Sequence, residues 1–95
     1  MDATVITKVV VSKFAEKQLK KIPKNIVAAL RIWAQDVQRL GIMEVRKYSS
    51  YHDEPLKGDR IGQRSIRLNK AYRAFYIETT EGIELIVIEV NKHEY

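Results

Sequence analysis

Residues 64–90 read RSIRLNKAYRAFYIETTEGIELIVIEV, and the fold turns on this stretch. Three runs, Arg64 to Leu68, Tyr72 to Glu78 and Glu84 to Val90, are separated by turn residues at Asn69–Lys70 and Glu81–Gly82. That spacing predicts three strands joined by tight turns. Strand side chains alternate between faces, so Ser65 and Arg67 leave on the side opposite Ile66 and Leu68, and Arg73 opposite Tyr72, Ala74 and Tyr76. Leu85 to Ile88 is a continuous apolar run, the pattern of a strand covered on both faces.

Upstream, Val5 to Ser12 is rich in β-branched residues and predicts a first strand, expected inside the sheet. Ser12 is placed to cap a short helix in which Ala15, Leu19 and Ile22 fall at i, i+4 and i+7. Pro23 breaks that helix and suits the first turn of a second. There Ile26, Leu30, Trp33, Val37 and Leu40 form one apolar stripe, closed by Gly41. From Ile42 to Gly62 the periodicity fades, which predicts a long loop of the kind that carries function. The expected architecture is a single α+β domain over residues 1–95, in the order β-α-α-β-β-β. Two helices pack on one face of a small, mainly antiparallel twisted sheet and leave the other face for function.

Ninety-five residues allow one modest core, and 45% hydrophobic with 31% charged residues is a globular composition. The net charge of +5 favours polyanionic partners. The absence of cysteine excludes disulfides, Cys-based zinc sites and thiol nucleophiles, and two histidines do not make a metal site, so no cofactor is expected. The longest early apolar run, Val9 to Val11, is far short of a signal-peptide core or a membrane span; a cytoplasmic protein without a membrane partner is expected.

Basic residues concentrate between Lys57 and Arg73, where Lys57, Arg60, Arg64, Arg67, Lys70 and Arg73 face a single acid, Asp59. With Lys92 in the tail, these are the candidates for contact with nucleic-acid phosphates. Arg67 and Arg73, on neighbouring strands, can converge on one phosphate. The plainer alternative is a solvated face in ion pairs with Glu78, Glu84 or Glu89. His93 follows directly on the last strand and has the intrinsic acidity to give or take a proton near neutrality. Glu54 precedes Pro55, which favours an extended conformation, and could present a carboxylate base opposite that histidine.

The segment DEPLKGDRIGQRSIRLNKAYRAFYI, residues 53–77, resembles the RelE/ParE toxin pattern, in which a Pro-Leu-Lys-Gly turn precedes a Ser-Ile-Arg strand and a Tyr-Arg strand. It is most similar to HigB and YoeB members. The resemblance implies a type II toxin that cleaves translated mRNA on the ribosome without a metal. It places Glu54 as general base, Arg73 on the pentavalent phosphorane, His93 as general acid and Tyr95 as the aromatic that orients the scissile nucleotide. Lys57 is a reserve candidate, since some members use lysines in place of the carboxylate. Glu94 separates His93 from Tyr95, where the YoeB pattern has the two adjacent. A cognate antitoxin is implied, in HigA-like cases one with a helix-turn-helix domain. Two other functions are open to the same fold: a ParE-like inhibitor of DNA gyrase, and a non-catalytic RNA- or ribosome-binding protein.

Overall fold

The computed structural model describes residues 8–80 and 82–90, with residues 86–90 described by their backbone alone. Strand β1 (Val9–Val11) leads into helix α1 (Lys13–Leu19), where the Ser12 hydroxyl accepts the Ala15 N–H at 3.0 Å as the cap requires. Helix α2 (Lys24–Leu40) starts after Pro23 and ends at Gly41, whose φ of 89° suits a residue without a Cβ. Its Ile26, Leu30, Trp33 and Val37 are buried as the stripe predicts, while Leu40 is half-buried.

The segment expected to be a long loop is instead a chain of short ordered pieces. Helix α3 (Ile42–Val45) comes first and puts Ile42 and Val45 fully into the core. A 3-10 turn (Ser49–Tyr51), a two-residue strand β2 (Glu54–Pro55) and a second 3-10 turn (Gly58–Arg60) follow. Each piece is only about one repeat of its own periodicity long, so no apolar pattern announces it. The meander then runs through β3 (Arg64–Arg67), β4 (Tyr72–Thr79) and β5 (Gly82–Val90), and the Asn69 side-chain oxygen accepts the Ala71 and Tyr72 N–H groups at 2.8 Å to make the β3–β4 turn.

The sheet order is β1-β5-β4-β3-β2, antiparallel except that β1 runs parallel to β5. The first strand therefore lies at an edge, not inside the sheet. Its valines are apolar because Val9 and Val11 pack on the core beneath the helices, while Val10 is 39% exposed. Between Phe75 and Tyr76 the β4–β5 register shifts, with Phe75 opposite Val87 and Tyr76 opposite Leu85, so one extra residue sits in β5. The apolar run spans this bulge; the side chains beyond Leu85 lie outside the described residues. Helices α1, α2 and α3 cover one face, where Ala15, Leu30, Trp33, Val37, Ile42 and Val45 pack on Ile66, Ala74, Tyr76, Ile83 and Leu85. Among the described residues, no helix is long and apolar enough to cross a membrane.

Candidate functional site

The face turned away from the helices is built by alternation along β2, β3 and β4. Glu54 is the register partner of Ser65, and Ser65 of Phe75, which makes one row across three strands. Two residues along, Arg67 and Arg73 are direct partners, and the backbone position beyond Arg73 on β5 is Glu89. Like charges directly opposite on adjacent strands disfavour each other unless an anion lies near both. Glu54 supplies an anion beside Arg73: its Oε2 lies 3.8 Å from Arg73 Nη2, with the two side chains 49% and 37% exposed. Since β2 and β4 flank β3, roughly 10 Å apart at a strand spacing near 4.8 Å, this contact spans β3 on its Ser65 side.

Ser65 and Phe75 beside this pair were not anticipated as site residues. Ser65 is 1% exposed, and its hydroxyl has no hydrogen-bond partner among the described residues. Phe75 lies under the Arg60 guanidinium, whose carbon is 4.0 Å from the ring centroid and whose Nε donates to Gln63 Oε1 at 3.1 Å. Arg60 is thus a flat cation at the border of the open face.

The other expected cations divide. Arg67 and Lys70 are exposed, the first on the open face and the second in the β3–β4 turn. Lys57 is exposed three residues after Glu54, at the mouth of the second 3-10 turn. Arg64 stands on the opposite side of the sheet from Arg73, where its Nε donates to the Asp53 carboxylate at 2.6 Å, and it does not join the open face. Glu78, considered as a partner for the strand arginines, pairs with Arg46. Lys92, His93 and Tyr95 lie outside the described residues.

This architecture is shared with several solved structures. The toxin–antitoxin complex RelBE2 from Mycobacterium tuberculosis aligns with 22% identity and a TM-score of 0.67 over 90% of this chain and 99% of that one. The YafQ structure from E. coli strain BL21(DE3) aligns with 15% identity and a TM-score of 0.71 over 87% and 91%. The YoeB–YefM complex from Staphylococcus aureus gives 20% and 0.67 over 92% and 97%.

The chain has the RelE-type toxin fold.

No protein-family model and no curated protein sequence matches it. At such identities the likeness fixes the RelE-type fold alone, and residue roles rest on the chemistry of this chain. The open face of this fold brings together a carboxylate and two guanidinium groups, able respectively to accept a proton and to bind a phosphate. Strand alternation made the arginines legible in advance. The Arg60–Phe75 stack left no local sequence signal, because it joins a turn to a strand 15 residues on.

Proposed function

We propose that the protein is the toxin of a type II toxin–antitoxin pair and acts as a ribosome-dependent, metal-independent endoribonuclease on mRNA. The observation that carries this reading is the meeting of Glu54 with Arg73 on an open sheet face, with Arg67 alongside. The toxins and toxin–antitoxin complexes among its structural neighbours support it.

In the proposed reaction a scissile phosphate seats on Arg73 and Arg67. Glu54, released from its ion pair, takes the proton of the adjacent ribose 2′-hydroxyl. The 2′-oxygen bonds to phosphorus, Arg73 stabilises the charge that grows on the phosphorane, and the bond to the 5′-oxygen breaks. His93 as imidazolium gives its proton to that leaving oxygen, and a 2′,3′-cyclic phosphate results. β5 ends at Val90, opposite Tyr72 and so next to Arg73. Three residues of chain span at most about 11 Å, and the proposed reaction requires His93 to reach the phosphate within that length. Tyr95 would orient the nucleotide, and Lys57, Arg60, Lys70 and Lys92 would hold flanking phosphates. Exposed basic charge of this kind also speeds capture by an acidic antitoxin segment.

The test is cleavage of translated mRNA by purified protein, with and without ribosomes. The expected outcome is ribosome-dependent cutting by the wild type and a loss of about 100-fold or more in Arg73→Ala and His93→Ala. An exposed pair such as Glu54–Arg73 contributes under about 1 kcal/mol, so Glu54→Gln and Arg73→Ala should melt like the wild type. Wild-type cutting by these variants would remove the site assignment. Induction of the DNA-damage response in place of translational arrest would favour the gyrase-inhibitor reading.

A further inference from the structure

Glu54 sits in a strand of two residues, held by two register pairs at the edge of the sheet, and its neighbour Pro55 has no N–H to add to the ladder. So short an edge strand does not fix a side chain by itself. Directly before it stands Asp53. Because successive strand side chains leave on opposite faces, Asp53 enters the helix-covered side while Glu54 enters the open side.

The Asp53 side chain is 1% exposed. Its Oδ1 accepts from Arg64 Nε at 2.6 Å, and its Oδ2 accepts from the Tyr76 hydroxyl at 2.5 Å. The Tyr76 oxygen in turn accepts from Arg46 Nε at 3.1 Å, and Arg46 donates onward to Glu78. The Tyr76 ring is fully buried, with its centroid 5.4 Å from that of Trp33. Asp53 is therefore tied to the fully buried part of the core, one peptide away from Glu54.

We propose that Asp53, anchored by Tyr76 and Arg64, is a positioning residue that sets where the Glu54 carboxylate stands against Arg73. This rests on the reading of Glu54 as general base. A buried ionic network is weak evidence for stability, since well-packed apolar residues often serve a core as well. Its advantage is directional: each bond has one geometry, and together they fix β2 in register and height.

Tyr76→Phe keeps the ring and its packing and removes only the hydroxyl; Asp53→Asn keeps the size of the anchor and removes its charge. Two readouts apply to both. The first is hydrogen exchange of the Leu56 N–H, which donates to Gln63 O at 2.9 Å across the end of β2. It should quicken by about tenfold while exchange in α2 stays at the wild-type rate. The second is cleavage of ribosome-bound mRNA, where kcat should fall by about 10- to 100-fold with little change in KM, as displacement of a reacting group requires.

In a Glu54→Gln background, Tyr76→Phe should lower kcat no further, because a residue acting through Glu54 has nothing left to position. An equal fall in that background, or unchanged Leu56 exchange in both variants, overturns the proposal. If Glu54→Gln itself cuts at the wild-type rate, the base assignment fails on its own. Leu56 exchange then still decides the anchor: quickened exchange upholds it and unchanged exchange overturns it.

Discussion

At the scale of single residues, Glu54 and Tyr76 occupy opposite regimes. The Glu54–Arg73 contact is solvated on both sides, so its strength is small and adjustable, which suits the general-base role proposed for Glu54. Tyr76 is shut inside the core, where burial and the hydrogen bond to Asp53 push its phenol well above the ordinary tyrosine range, against a smaller lowering effect of Arg46. The fold thus favours the protonated phenol. Between the unfolded value, about 10, and the raised folded one, the native state holds more protons than the unfolded, so stability falls as pH rises. Denaturant midpoints measured from pH 8 to pH 11 should be level at first and drop above about pH 10; in Tyr76→Phe the drop should be shallower. A profile identical in the variant would remove Tyr76 as its source. At this scale Arg67 and Arg73 were legible because alternation with period two assigns faces without a structure. Glu54 came from its place before Pro55 and from the resemblance, not from periodicity. Asp53 gave no signal, because its partners lie 11 and 23 residues away and no local rule joins them.

Among elements, the long, strongly patterned ones were legible and the short ones were not. Helix α2 and the β3–β4–β5 meander follow the sequence closely, since α2 repeats its apolar period over 17 residues and turn residues separate the strands. Helix α3 and strand β2 exist through tertiary contact, and it is β2 that carries Glu54. The edge position of β1 was hidden because β-branched content reports strand conformation and not place in the sheet. Its attachment depends on close approach at the start of β5, where Ile83 N–H donates to Lys8 O at 2.8 Å. Gly82 lies there with φ of 148°, and a Cβ at that position would come within 2.6 Å of the Lys8 carbonyl oxygen. Gly82→Ala should therefore lower stability by about 1–3 kcal/mol through strain, with β1 amides losing exchange protection before those of β4. Unaltered melting would show that the β1–β5 approach can relax.

The whole molecule is a sheet with two unlike faces. One is sealed by three helices around Trp33 and Tyr76, and the other presents Glu54, Arg67 and Arg73. The buried face is joined to the open one through β2, where Asp53 and Glu54 point in opposite directions from consecutive positions. This division, rather than the net charge of +5, gives the functional reading its content: a basic surface binds RNA in many arrangements, whereas attack by a 2′-hydroxyl needs a base and a phosphate-binding cation at one place. The most direct test is cleavage of ribosome-bound mRNA carrying a single 2′-deoxyribose at the nucleotide 5′ to the cut. The all-ribose message should be cut to a product ending in a 2′,3′-cyclic phosphate, and the substituted message should be left intact at that position. Cutting of the 2′-deoxy message at an undiminished rate would rule out attack by the 2′-hydroxyl.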